Sequence, residues 1–301
     1  MAGRPRTRSA SGPVLVLGGA GYLGSMLCRR LLERRAAVRV LDPLQHGDLS
    51  IHELTAHPGF DLIAGDAFDL RVIAGAMEGA SAVVSLLDVA EPGLYAGYLS
   101  GIASIASRRE GTRFIIVREG SIKNPENALL TPGPQRASIT VLQLAALFGV
   151  SWCDRPELPV HRMVAQAWRG ERLRIASGSS RGSFIHVRDA ADGVIAALLG
   201  DRAATAGQIL ALGDPRLNYS RLQLAHAIRA QFPSVQIEEI SSSSVAADAT
   251  LNFDRARKRL GFACSLPLEA GIRELRVAYL LGQRSADVPA LGSAALAGAT
   301  T

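Results

Sequence analysis

Val14-Leu-Val-Leu-Gly-Gly-Ala-Gly-Tyr-Leu-Gly24 decides how the rest of the chain is read. Val14, Leu15, Val16 and Leu17 are apolar in succession, as in a strand buried on both faces of a parallel sheet. Glycines follow at 18, 19, 21 and 24, and then 25–35 carries apolar residues at helical spacing. A chain turning this sharply from strand to helix uses glycine. With no side chains in the way, a pyrophosphate can rest on backbone N–H groups at the helix N-terminus. A second short apolar run over 37–41 ends at Asp42. An acid about 20 residues past such a turn is placed to accept hydrogen bonds from an adenosine ribose. It would also repel a 2'-phosphate, which favours NAD. His46 can sit near a phosphate, so NADP stays open.

Strand-like and helix-like segments then alternate. Strands are expected over 60–64, 79–87, 113–117 and 138–142, with helices over 70–77 and 94–109. Asp66 follows the third strand and is placed to meet the adenine amino group, with Ala67 beside it, while Asp69 can cap the next helix. This alternation argues for a parallel sheet covered on both faces. The stretch 118–137 holds Pro125, Pro132 and Pro134, which forbid one continuous helix. Beyond Gly149 come further strands over 173–175, 182–187, 208–212 and 237–240. Helices are expected over 159–168, 188–199, 221–231, 253–260 and 268–280.

Composition excludes several classes. The 301 residues are 48% hydrophobic, enough for a sizeable aliphatic core without a staple. Cys28, Cys153 and Cys264 are scattered without metal-ligand spacing, which suits a reduced, cytoplasmic chain and no bound metal. Of the net charge of +6, Arg4, Arg6 and Arg8 belong to a tail, and no basic patch interleaved with aromatics suggests nucleic acid. No run reaches the roughly 18 apolar residues of a membrane span. Residues 1–12 and 281–301 read as disordered tails without a secretory segment.

With these motifs in place, residues 13–280 resemble an extended short-chain dehydrogenase/reductase of the NAD-dependent epimerase/dehydratase family. Gly18, Gly21 and Gly24 match its GxxGxxG turn, Asp42 its ribose acid and 65–69 its adenine-side element. Phe184-Ile-His-Val-Arg-Asp189 is similar to its F-I-H-V-D-D stretch, and 260–262 with 268–272 to its C-terminal helix pair. The resemblance implies an α/β fold, a Rossmann-type parallel sheet with helices on both faces and a smaller C-terminal substrate-binding lobe. It implies a dinucleotide core over about 13–150 plus 186–212, and a substrate lobe over about 151–185 and 213–280. The cofactor, NAD or NADP, would lie against Gly18, Ala20, Gly21, Tyr22, Leu23, Gly24, Asp42, Asp66, Ala67, Leu86, Arg118 and Lys123.

The resemblance fails at the chemistry. The family uses a Tyr-x-x-x-Lys pair, whose lysine lowers the tyrosine pKa and holds the ribose. The interval 118–137 has no tyrosine, and its lysine is Lys123. Arg118 and Glu119 stand where the family has paired serines, and Ser85-Leu-Leu-Asp88 where it has H-L-A-A. Arg118 would face the nicotinamide end or pair with Glu119 or Glu110. The family's phosphate-gripping arginine has slipped to Arg181, with Gly182 in its slot, which argues against a sugar-nucleotide substrate. Tyr95, Tyr98 and Ser85 are then the nearest candidate proton donors, with Asp88 beside them. Trp152, His161 and Trp168 can line a flat aromatic pocket.

These features also resemble the unusual antibiotic-pathway ketoreductases of the family. They imply an NAD(P)H-dependent ketoreductase passing a hydride to a bulky aromatic polyketide-type ketone that helps polarise its own carbonyl. The chain would act as a monomer or homodimer. A non-catalytic dinucleotide-binding redox sensor or partner protein is the alternative.

Overall fold

The computed structural model describes residues 12–45, 47–87, 92–109, 111–120, 139–241 and 248–282. Its centre is a seven-stranded sheet. In chain order the strands are β1 (Val14–Leu17), β2 (Val38–Asp42), β3 (Phe60–Ala64), β4 (Ala82–Ser85), β5 (Arg113–Glu119) and β6 (Ile139–Leu144). Three short strands follow, β7 (Ala146–Phe148), β8 (Leu173–Ala176) and β9 (Arg181–His186), and then β10 (Ile209–Leu212) closes the sheet. The spatial order is β3-β2-β1-β4-β5-β6-β10, and every neighbouring pair is parallel. The order reverses between β1 and β4, so a crevice opens beyond their C-terminal ends, where nucleotides bind in sheets of this kind.

The expected Rossmann-type α/β architecture is what forms, and the alternation of side chains along each strand explains it. Leu15 and Leu17 face one apolar layer while Val14 and Val16 face the other. On one side lie α1 (Tyr22–Glu33) and a later helix numbered α5 (Val187–Leu199). On the other lie α2 (Leu70–Ala76) and α3 (Pro92–Ser107). Leu15, Leu17, Leu27 and Phe114 are fully buried. Each such side chain is worth about 1.5–3 kcal/mol of transfer free energy. The two covering helices of the first layer are tied by Asp192, which accepts from Arg30 at 2.6 Å and Arg34 at 3.0 Å.

Asp69 caps α2 as expected, its side chain accepting from the Arg71 N–H at 2.8 Å. Between β2 and β3 the chain makes a short 3-10 helix, His52–Ala56. The 182–187 strand ends one residue early. His186 becomes the N-cap of α5, its Nδ1 accepting from the Arg188 N–H at 3.2 Å.

The remaining elements gather beside the sheet. They include α4 (Pro159–Trp168), β11 (Asn218–Ser220), β12 (Ile237–Ile240) and a short α6 (Arg202–Thr205). They also include α7 (Arg221–Gln231), α8 (Asp254–Leu260) and α9 (Leu268–Leu280). β7 and β11 flank β9 in a small sheet, and β8 pairs with β12 in another. Phe148, Val164, Phe184, Ile228, Ile272 and Leu275 form the apolar cluster there. Ser220 starts α7 with a full capping box. Among the described residues no helix is long and apolar enough to cross a membrane.

Candidate functional site

The turn between β1 and α1 is built for close approach. Gly18 has φ +82°, in the left-handed region, and its N–H is fixed by the Leu41 carbonyl at 3.0 Å. A Cβ on Gly24 would lie 2.2 Å from the Gly18 oxygen, so only glycine lets α1 begin against the turn. Gly21 is the N-cap and supplies no side-chain cap, and the first turn of α1 holds no acid. The first N–H groups of the helix therefore point into a crevice with no carboxylate from the helix itself against them. An anion fits that end of a helix.

The crevice has a volume of about 750 Å³. Gly18, Ala20, Gly21, Tyr22, Leu23 and Gly24 form its floor, and Leu86, Val117 and Glu119 come from the ends of β4 and β5. Its other wall is the loop Trp152–Glu157, which follows β7. That loop is tied to the start of α1. Ser151 Oγ donates to the Tyr22 carbonyl at 2.6 Å, and Tyr22 OH donates to the Gly149 carbonyl at 2.6 Å. Buried His161, on α4, donates from Nδ1 to the Arg155 carbonyl at 2.8 Å, and its Nε2 lies 3.4 Å from Tyr22 OH. Trp152 is held by Arg29, whose guanidinium lies 3.8 Å from the centre of the indole.

An ion network crosses the crevice. Glu119 accepts the Leu147 N–H at 3.1 Å and pairs with Arg155 at 3.2 Å; Arg155 also donates from Nε to Glu157 at 2.5 Å. Burial alone would lower the Arg155 guanidinium, but Glu119 and Glu157 outweigh it and raise it above its ordinary value. Cys153, in the same loop, is pushed up by burial and by the Asp154 carboxylate, so it remains a thiol at neutral pH.

The expected cofactor residues divide. The glycine-turn set from Gly18 to Gly24 and Leu86 line the crevice. Asp42 stands behind the turn, accepting from the Ala20 N–H at 2.9 Å and the Leu44 N–H at 2.8 Å. It buckles the turn onto the end of β2, and its oxygens keep lone pairs for a ribose. Asp66 is exposed, accepting the Phe68 N–H, and Ala67 is fully buried; both lie apart from the crevice lining. Lys123, His46 and Asp88 lie outside the described residues.

The expected proton donors gather elsewhere. Ser85 and Tyr98 are hydrogen-bonded to each other at 2.8 Å under α3, and Tyr95 is buried beside them. Arg118 stacks on Tyr95 with its guanidinium 4.2 Å from the ring centre. The four come together, but on the side of the sheet away from the glycine turn. Alternation along β5 is the reason: Val117 and Glu119 face the crevice and Arg118 faces the other layer. Of the expected aromatic pocket, Trp152 lines the crevice, while His161 is buried under it and Trp168 stacks on Tyr279. Glu119 and Arg155 were not expected. The charged run Cys153-Asp-Arg-Pro-Glu157, just past the sheet edge, marks the loop of Arg155, but nothing in it points to Glu119. No group of three or more His, Cys, Asp or Glu placed to hold a metal occurs among the described residues.

Residues 14–105 match the model of the NAD dependent epimerase/dehydratase family. Solved structures share the fold across nearly the whole chain. The dTDP-glucose 4,6-dehydratase of Bacillus anthracis, in complex with NAD, has a TM-score of 0.75 at 15% identity, covering 91% of this chain and 98% of that one. The UDP-glucose 4-epimerase of Thermotoga maritima, with UDP-glucose, has a TM-score of 0.72 at 17% identity, covering 90% and 100%. The UDP-glucuronic acid 4-epimerase of Bacillus cereus, with UDP-glucuronic acid and NAD, has a TM-score of 0.70 at 18% identity, covering 89% and 99%.

These findings correct the ketoreductase expectation. The similar proteins are sugar-nucleotide epimerases and dehydratases, not reductases of aromatic polyketides. Arg181, whose displacement carried the argument against a sugar nucleotide, is engaged within the protein. That side chain is exposed on β9 and donates to the Asn218 carbonyl, at the start of the neighbouring β11, at 2.7 Å.

Proposed function

We propose that this chain is an NAD(P)-dependent enzyme of the epimerase/dehydratase class whose crevice takes a nucleotide-sugar-type small molecule. The observation that carries the reading is the open N-terminus of α1, set by the glycine turn at the floor of a crevice of about 750 Å³. That volume lies in the range of small-molecule and cofactor sites. The similar structures that hold NAD or a UDP-sugar support the choice of ligand class. NAD is favoured over NADP, because Asp42 places a carboxylate behind the turn where a 2'-phosphate would meet it. The comparison with enzymes also moves the reading away from a protein that only binds the dinucleotide.

Oxidising a sugar carbinol requires a group to receive the hydroxyl proton. The Tyr-x-x-x-Lys pair is missing from the sequence between β5 and β6. Glu119, at the C-terminal end of β5 and on the crevice wall, is the carboxylate best placed to take that role. The Leu147 N–H holds one of its oxygens at 3.1 Å.

Calorimetric titration with NAD⁺, NADH, NADP⁺ and NADPH tests the cofactor. Binding of NAD⁺ well below about 1 mM is expected, with NADP⁺ weaker. UDP-glucose, UDP-glucuronate and dTDP-glucose are then added to the NAD⁺ complex while nicotinamide absorbance and sugar products are followed. Absence of binding by all four dinucleotides overturns the reading.

A further inference from the structure

The crevice contains an electrostatic conflict. Its described lining holds three carboxylates, Glu119, Asp154 and Glu157, and one cation, Arg155. A ligand carrying a diphosphate brings further negative charge to this wall. The helix N-terminus opposite offers only a fraction of a charge. The arginine that the sequence places near the small sheet does not help, because Arg181 is held away on the Asn218 carbonyl.

We propose that Arg155 is the diphosphate-gripping residue of this crevice, and that Glu119 and Glu157 hold it in place until the ligand displaces them. The inference rests on the functional reading above and adds the residue that recognises the ligand's charge. Three observations carry it. Arg155 is planted over the glycine turn, since its carbonyl is held by buried His161 and the loop is tied to Tyr22 on α1. Its guanidinium keeps a forked set of donors, which match phosphate oxygens in pairs. Its two partners are replaceable: the side chains of Glu119, Arg155 and Glu157 are 24%, 37% and 47% exposed, and ion pairs that exposed are weak.

The diphosphate has two possible sources, the dinucleotide and the nucleotide sugar, and one set of titrations separates them. NAD⁺ is titrated into the wild-type chain, Arg155→Gln, Arg155→Lys and Arg181→Ala. UDP and dTDP are then titrated into each protein saturated with NAD⁺. Thermal melting confirms that the variants fold.

A tenfold or greater loss of NAD⁺ affinity in Arg155→Gln, with Arg181→Ala unchanged, supports the proposal with the dinucleotide as source. A loss confined to UDP and dTDP supports it with the nucleotide sugar as source. Arg155→Gln within twofold of wild type for every ligand overturns it. Glu119→Gln adds a readout that a merely structural loop contact would not move. It frees Arg155, so it should tighten diphosphate binding severalfold in the wild-type background and not in Arg155→Gln. Weaker binding in Glu119→Gln, or equal tightening in both backgrounds, overturns the competition.

If the wild-type chain binds no dinucleotide, the functional reading itself fails. If NAD⁺ binds and the Arg155 variants leave all binding unchanged, this inference fails alone.

Discussion

Two clusters of polar side chains flank the same strand ends, one on each side of the sheet. On the crevice side, Glu119 meets Arg155 and the loop that covers the glycine turn. On the other, Ser85 meets Tyr98, with Tyr95 and Arg118 beside them under α3. Chain order ranks the second cluster higher, since hydroxyls at the end of β4 suit an expected acid. Among the described residues, the crevice of about 750 Å³ opens at the first. What separates them is a period of two: Arg118 and Glu119 are sequence neighbours, and the pleat sends them to opposite layers. Nearness to a strand's C-terminal end locates a residue at the functional edge of the sheet. It does not say which side of that edge.

The comparison breaks most readily at the turn itself. Replacing Gly24 by valine sets a Cβ against the Gly18 carbonyl, which is backbone and cannot swing aside. We expect a loss of about 3 kcal/mol in stability and loss of measurable dinucleotide binding. Thermal unfolding and NAD⁺ titration check both, and a variant that binds normally would remove the turn from the site.

Asp42 tests the same side more gently. Its carboxylate satisfies two backbone N–H groups, from Ala20 and Leu44. Asp42→Ala orphans both and should cost roughly 2 kcal/mol. It should also narrow the preference for NAD⁺ over NADP⁺, read as the ratio of the two dissociation constants in one buffer.

The turn of glycines between β1 and α1, the parallel sheet and the cap at Asp69 were legible because each is local. Their signals are spacing, strand-end chemistry and capping residues within a few positions. Glu119 and Arg155 were illegible because they are 36 residues apart and meet only across a tertiary contact. Tyr95 and Tyr98 illustrate a related point. Their spacing correctly put them together, and nothing in spacing distinguishes a helix face toward a crevice from one toward a core.

A third test lies in the anchor of the covering loop. Glu274, on α9, accepts from His186 Nε2 at 2.9 Å and from the Val150 N–H at 3.4 Å, next to Ser151. Burial alone would raise this carboxyl, but the hydrogen bond from His186, with help from Val150 and Arg188, holds it below its ordinary value. A depressed acid stabilises the fold fully above its unfolded value and loses that contribution as pH falls through the folded one. Stability should therefore decline below about pH 4.5, and Glu274→Gln should flatten that part of the profile. Urea midpoints measured from pH 6 to pH 3 read the difference. A parallel decline in both proteins would place the acid sensitivity elsewhere.

The smallest effect is expected on the far side of the sheet, and it is the sharpest test of the contrast. Tyr98 is buried, and its hydroxyl is pushed well above its ordinary value by that burial, against the hydrogen bond from Ser85. It stays protonated throughout the physiological range, so it has no route to acting as a base, and the cavity beside the glycine turn does not reach it. Tyr98→Phe removes one buried hydrogen bond and leaves the Ser85 hydroxyl without that partner. The net cost of such a change is about 0.5–1.5 kcal/mol in stability. NAD⁺ affinity should stay within twofold of wild type, because nothing that touches the crevice has moved. The two quantities are measured on the same sample, by denaturant titration and by calorimetry. A tenfold loss of NAD⁺ affinity with unchanged stability would place Tyr98 at the ligand and erase the distinction between the two sides of the sheet.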